Sequence, residues 1–256
     1  MRKIAIVNQK GGSGKTTTAV NLAAALAESS KKILLIDLDP QASASLWFGL
    51  KDQGKPLFHL LTGDAPLSSA IVSTKIKNIE VIPSSPMIST VEKVLNRSLH
   101  SEKNLKKKFD SIKEKPWDYV LFDCPPNLGM LVLNAFSVAF EVMVPVVTHV
   151  MALHGLLQLL KTIQLVKEKI NPSLKLAGIL ACRVDHRTKH SKEVLNQLKS
   201  RFQDKLYQTF IRENVKLAEA PLRMLPIIQD APACYGASDY RSLAKELIFQ
   251  EDSVLY

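Results

Sequence analysis

The segment Lys10-Gly11-Gly12-Ser13-Gly14-Lys15-Thr16 constrains this chain more than any other stretch. It follows the apolar run Ile4 to Val7 and precedes Thr17 to Ala27, where apolar residues recur at helical spacing. Strand, glycine loop and helix in that order is the context in which a loop folds around phosphate groups. The glycines let backbone N–H groups turn inward, and the helix points its positive dipole end at the same place. A polyphosphate is the expected ligand, cradled by residues Gly11 to Thr17. Lys15 is expected on the β and γ phosphates, and the Thr16 hydroxyl on Mg²⁺. Gln9 stands where the ordinary pattern has glycine, and Lys10 adds a second lysine to the loop.

The 256 residues, 46% of them hydrophobic, suffice for a substantial core, and one domain over 1–256 is expected. A formal charge of +10 and a pI near 9.4 favour an anionic partner, with nucleic acid ahead of acidic lipid. Cys124, Cys182 and Cys234 lie far apart and form no Cys-x-x-Cys pair, which fits a reducing compartment without disulfides or a thiolate metal site. The apolar N-terminal run is cut short at Asn8-Gln9-Lys10, so it is a strand and not a signal peptide. Leu128 to Leu160 is strongly apolar, but Glu141, Pro145 and histidines interrupt it, and helix, strand, helix explains it better than a membrane span.

Further strands are expected at Lys32–Asp37, Asn78–Ile82, Trp117–Asp123, Glu141–Val147 and Leu174–Val184, with helices over Met87–Ile112, Leu128–Ala139 and Ala152–Ile170. This alternation predicts an α/β fold, a doubly wound and mostly parallel sheet flanked by helices. Asp37-Leu38-Asp39-Pro40-Gln41 places carboxylates just past a central strand, where such folds put ligand chemistry. Asp123 ends another apolar strand, the position from which a carboxylate holds Mg²⁺ directly or through water. Cys124 beside it is expected to be an apolar neighbour. Lys103, Lys106, Lys107 and Lys108 read as a solvated helix face. From Arg183 to Arg223 ten basic residues meet five acidic ones, with no helix-turn-helix, zinc finger or aromatic platform. Sequence-independent phosphate contact fits that surplus. Asp185, His186 and His190 form a weaker candidate, a metal site on one helix turn.

Together these motifs resemble the deviant Walker A ATPases, the family of the ParA and Soj partition proteins, the MinD division regulators and nitrogenase iron protein. The resemblance to the ParA and Soj group runs from Ile4 to about Leu247 and includes Asp-x-Asp-Pro-Gln, Asp123-Cys-Pro-Pro, Asn214-Val215-Lys216-Leu217 and Glu219-Ala220-Pro221. It implies that Lys10 reaches across a dimer to the partner's nucleotide, that Asp39 orients the attacking water and that Asp37 supports the Mg²⁺ shell. It also implies that the segment after Asp123 senses the γ-phosphate, that Asn214 and Pro221 flank the base, and that Arg187, Lys189, Lys216 and Arg223 face DNA. The chain departs from the family at Val147, where glutamine is usual, at His149 and His154, where carboxylates are, and at Arg212, where proline is. Leu222-Arg223-Met224-Leu225 replaces a small turn containing glycine.

The function so implied is slow, partner-stimulated ATP hydrolysis with Mg²⁺, by a homodimer that binds DNA nonspecifically and works with a ParB-type protein in partition. Such a protein would be cytoplasmic, bacterial and nucleoid-associated. Motifs beginning at residue 10 leave no room for an N-terminal operator-binding domain. A MinD-like membrane switch is the alternative, and it wants a basic amphipathic tail where this chain ends in Gln250-Glu251-Asp252-Ser253-Val254-Leu255-Tyr256, acidic and short. An iron–sulfur carrier would want a cysteine ligand set that is missing from the sequence.

Overall fold

A computed structural model describes residues 1–50, 56–97, 99–112, 114, 116–148 and 152–252. The first half runs β1 (Arg2–Ile6), α1 (Lys15–Glu28), β2 (Ile33–Asp37), α2 (Ser43–Trp47), α3 (Pro56–Thr62), β3 (Val72–Ser73), β4 (Ile79–Ile82), α4 (Ile88–Leu95), α5 (Asn104–Asp110) and β5 (Tyr119–Asp123). The second half runs α6 (Met130–Val138), β6 (Glu141–Val147), α7 (Ala152–Lys169), β7 (Lys175–Val184), α8 (Lys189–Phe202), β8 (Ile211–Arg212), α9 (Val215–Glu219), α10 (Ile227–Asp230) and α11 (Tyr235–Asp252).

The strands form one sheet in the order β3-β4-β2-β5-β1-β6-β7-β8, parallel throughout except for β3. Their apolar runs are covered on both faces, as parallel strands require. On β1, Ile4 and Ile6 pack with α1, α2 and α9 to α11, whereas Ala5 faces the layer of α3 to α8. Alanines at 19, 23, 24 and 25 give α1 a smooth buried surface, so it packs closely against the sheet and α11. The expected doubly wound α/β fold is present, with most strand boundaries within two residues.

The helix expected over Met87–Ile112 is instead two helices. His100 takes a left-handed φ of 58° and the Ser101 hydroxyl donates to the Leu95 carbonyl at 2.6 Å. Asn134 on α6 then accepts from the Leu105 N–H at 2.9 Å and donates to the Ser101 carbonyl at 3.0 Å. One buried amide from a distant helix thus satisfies the broken ends, which local periodicity could not announce.

The pairing of β5 with both β1 and β2 fixes the site. Its register sets Ile6 and Asp37 on either side of Asp123, so three strand ends meet at one edge. The chain turns back from β1 into α1 at that same edge, the position that open α/β sheets use for ligands.

Candidate nucleotide site

The loop after β1 is shaped by two left-handed glycines, Gly12 at φ 69° and Gly14 at φ 92°, a conformation costly for any residue with a Cβ. Gly11 is exposed at the rim, and helix α1 begins at Lys15 with the Thr18 N–H donating to the Gly14 carbonyl at 2.8 Å. Ser13 is 1% exposed and its hydroxyl has no hydrogen-bond partner among the described residues. The Lys15 ammonium donates back to the Lys10 carbonyl at 3.4 Å, closing the loop around itself. Burial lowers the Lys15 pKa, opposed by the charges of Asp123 and Asp39. Lys10 itself is exposed, and among the described residues its ammonium forms no ion pair.

A cleft of about 480 Å³ is lined by Gly11 to Thr17, by Asp39-Pro40-Gln41 and by Pro125-Pro126-Asn127. Three segments identified separately in the sequence therefore surround one space. Asp39 is half-buried there and its Oδ1 accepts from the Gln41 N–H at 2.9 Å. A second cleft of about 780 Å³ lies among residues at the opposite ends of the strands. It contains none of the motif residues, and its charges pair among themselves: Arg2 and Lys175 with Glu141, Lys31 with Glu251.

Asp37 and Asp123 are adjacent, fully buried carboxylates in different states. Asp37 Oδ1 accepts from the Asp39 N–H at 3.1 Å, and Oδ2 accepts from the Ser45 N–H and hydroxyl at 2.8 and 2.7 Å. Burial still lifts its pKa to about 6 against those bonds. Among the described residues neither oxygen of Asp123 has a hydrogen-bond donor. Burial, and next the charge of Asp37, hold its pKa well up; the Thr16 hydroxyl and Lys15 pull the other way, but Thr16 makes no well-formed hydrogen bond to it. A buried carboxyl pair facing a phosphate loop is an oxygen donor set suited to a hard cation that also binds phosphate oxygens. Asp123 and Thr16 would hold Mg²⁺, with Asp37 supporting the shell, and the ion would neutralise phosphate charge. Among the described residues no three His, Cys, Asp or Glu side chains gather as a metal cluster. That includes the Asp185, His186 and His190 group, where Asp185 is tied to Arg187 and His186 lies edge-on to Phe210 at 4.9 Å.

Several residues that build the site carry no motif. Asn8 donates to the Pro145 carbonyl at 2.6 Å and accepts from the Lys10 N–H at 3.0 Å, anchoring the loop entrance to β6. Asn21 donates to the Thr17 carbonyl at 2.8 Å and accepts from the Ile227 N–H at 2.7 Å. The Trp47 indole donates to the Leu225 carbonyl at 2.7 Å. Both loop helices are thereby fastened to the segment 221–227. Asn214 caps α9, accepting from the Lys216 N–H at 2.9 Å, and Pro221 is exposed; neither lines the phosphate cleft.

The surface residues expected to meet DNA are exposed. Arg187 pairs with Asp185, Lys216 with Glu219, and Arg223 with Asp230 and Glu219; Lys189 opens α8. Arg212 is seated by Asp239, which accepts from its backbone N–H at 2.9 Å and from its guanidinium, and it lies 4.2 Å over the Tyr235 ring. Met224 takes the left-handed conformation, φ 54°, at the place of the glycine-containing turn. Val147 ends β6, while His149 and the side chain of His154 lie outside the described residues. Cys124 and Cys182 are buried free thiols with raised pKa values, so Cys124 is an apolar neighbour as expected.

A family model described as an AAA domain matches residues 1–176. The sporulation initiation inhibitor protein Soj of Bacillus subtilis is 41% identical over 246 residues, covering 95% of this chain and 97% of that protein. The chain belongs to the ParA and Soj family of partition ATPases. The chromosome partitioning protein ParA of Caulobacter vibrioides is 39% identical over 254 residues, covering 98% and 95% of the two chains. Among solved structures, cobyrinic acid a,c-diamide synthase from Mycobacterium smegmatis with an ATP analogue and magnesium superposes with a TM-score of 0.85, at 32% identity over 99% of this chain and 96% of that one. This family member is an ATPase that uses ATP and Mg²⁺. Among the described residues no helix is long and apolar enough to cross a membrane.

Proposed function

We propose that the chain is a partition ATPase that dimerises around two ATP·Mg²⁺, binds DNA without reading its sequence in that state, and releases DNA after hydrolysis stimulated by a ParB-type partner. In this reading residues 1–256 act as one domain in the bacterial cytoplasm, on the nucleoid. The observation that carries it is the contrast between the two loop lysines: Lys15 is folded into the loop, while Lys10 is exposed at its rim with its carbonyl already used by Lys15. An ammonium so placed is suited to a phosphate delivered by a second subunit. Lys15 and Mg²⁺ would neutralise charge, and Asp39 would place the attacking water, which is most of what phosphoryl transfer to water demands. The base would lie toward Asn214 and Pro221.

For DNA, the surface supports phosphate contact more than base reading. The pairs of Arg187 and Lys216 lie at the surface, where solvent weakens them, so DNA phosphates can compete for those cations, whereas Arg223 is held more firmly because the Asp230 side chain is buried. Lys189 is joined on one side of α8 by exposed Lys192 and Lys199, spaced to share a helix face.

Gel shifts with unrelated DNA sequences, using wild type, Lys10→Ala, Lys15→Gln and Asp39→Ala, test the reading. Binding should require ATP, weaken steeply with salt, vanish in both lysine variants and persist longer in Asp39→Ala. Equal binding with ATP, ADP and no nucleotide would defeat it.

A further inference from the structure

Gly129, which caps α6, has φ −87° and ψ −165°, angles open to any residue, so backbone conformation does not demand glycine there. A contact does. A Cβ at Gly129 would lie 2.0 Å from Glu92 Oε1 and 2.9 Å from its Cδ. The carboxylate of Glu92, on α4, therefore rests directly on the Gly129 backbone at the start of α6. That helix has no side-chain cap and no acidic residue in its first turn. A carboxylate brought from another helix supplies the negative charge its N-terminus lacks. The Asn127 amide donates to both Glu92 oxygens at 3.3 Å, and Asn127 is one of the residues lining the nucleotide cleft. Helix α4 is itself fixed, since Ile88, Val91 and Leu95 are buried in the core.

We propose that Glu92 is a positioning residue for hydrolysis: it seats the 125–129 segment against the cleft by holding Asn127 and the first turn of α6. This rests on the reading that the 125–129 segment meets the γ-phosphate. Glu92 itself does not line the cleft. Its effect is to keep the cleft wall in register with Asp39 and the loop, and misplacements of that kind are felt in turnover more than in binding.

Phosphate release, together with binding of ADP and a non-hydrolysable ATP analogue, should be measured on full-length wild type, Glu92→Ala, Glu92→Gln, Gly129→Ala and the Glu92→Ala/Gly129→Ala pair. Glu92→Ala should lower kcat about tenfold and leave KM and ADP affinity within about twofold. Glu92→Gln, which keeps the acceptor and the size, should retain most of the rate. Gly129→Ala should be at least as slow as Glu92→Ala and should change the ratio of analogue to ADP affinity, and the double variant should be no slower than Gly129→Ala alone. Wild-type kcat in Glu92→Ala with an altered ratio in Gly129→Ala overturns the positioning role alone. An unaltered ratio in Gly129→Ala overturns the underlying reading of the segment. Parallel loss of ADP affinity, thermal stability and kcat in both Glu92 variants reduces Glu92 to a structural residue and overturns the proposal.

Discussion

Glu141, the first residue of β6, and Asp123, the last of β5, are both buried acids on central strands, but only one is matched from within the chain. Glu141 accepts from the Arg2 guanidinium at 2.8 and 3.1 Å and pairs with Lys175 at 3.3 Å, and Arg2 donates onward to the Leu247 carbonyl at 2.6 Å. Among the described residues Asp123 accepts nothing, and the adjacent Asp37 adds repulsion. One end of the sheet closes its own charge account; the other leaves a carboxylate whose partner, in the proposed reading, arrives with the nucleotide. Buried charge without an internal partner is costly, so its persistence marks the working end.

The sharpest break of this comparison is to neutralise each acid in turn. Asp123→Asn should reduce ATP hydrolysis by roughly a hundredfold or more, in line with losing a preorganised electrostatic group, yet raise the melting temperature of the nucleotide-free protein at pH 8. Glu141→Gln should do the reverse. It leaves nucleotide affinity unchanged and costs about 2–3 kcal/mol, below the ~3–5 of a sealed pair because Arg2 keeps the Leu247 carbonyl. That is a fall of roughly 5–10 °C for a chain of this size. Phosphate release and thermal melts on the two variants decide it; melting shifts of the same sign would mean that the two ends do not differ as described.

Much of the working end was legible beforehand, and the reason is chemical. Lys10 to Thr16, Asp39 and Asp123 stand at fixed offsets from strands, the pattern that phosphate and Mg²⁺ would impose on residue type. Ser45, Asn21, Trp47 and Glu92 were not legible. Their partners lie 8, 206, 178 and 35 residues away, and serine, asparagine and glutamate recur throughout the chain without such roles, while nothing near Trp47 in sequence marks its partner. The break between α4 and α5 escaped for the same reason, since Asn134 acts on it from α6. The pairing at the opposite end was equally hidden, because Arg2 and Glu141 are 139 residues apart and meet only once β1 and β6 are neighbours.

A smaller effect follows in pH. The Asp37 pKa is raised from 3.8 to about 6, so the folded state holds this proton more tightly than the unfolded chain. For an acid raised in this way, the free protein loses stability as pH climbs from about 4 to about 6, and the loss is complete above that. Asp123, also raised, extends the window upward. Melts of nucleotide-free protein between pH 4 and 8 should show this decline, and saturating ATP·Mg²⁺ should flatten it as the cation takes over from the proton. Asp123→Asn should shorten the window, because Asp37 then no longer shares its burial with a second charge. A profile that Asp123→Asn leaves unchanged would remove the coupling between the two acids.

The smallest expected change separates Asp37 from both extremes. It is neither matched by a cation like Glu141 nor bare like Asp123, but held by neutral donors, chiefly Ser45, whose hydroxyl also accepts from the Ser84 N–H at 2.9 Å. Ser45→Ala removes the hydroxyl and leaves the backbone donor. The charged form of Asp37 loses one bond, worth about 1–3 kcal/mol when the acceptor is ionised. The stability decline of the free protein should therefore extend above pH 6, whereas Mg²⁺-dependent turnover should fall only severalfold, because Asp123 and Thr16 remain. If Ser45→Ala abolishes turnover as fully as Asp123→Asn does, Asp37 belongs to the inner set of metal-holding residues. If it moves neither profile, the Ser45 hydroxyl serves Ser84 and the end of β4 instead, and the backbone N–H groups of Ser45 and Asp39 alone hold Asp37.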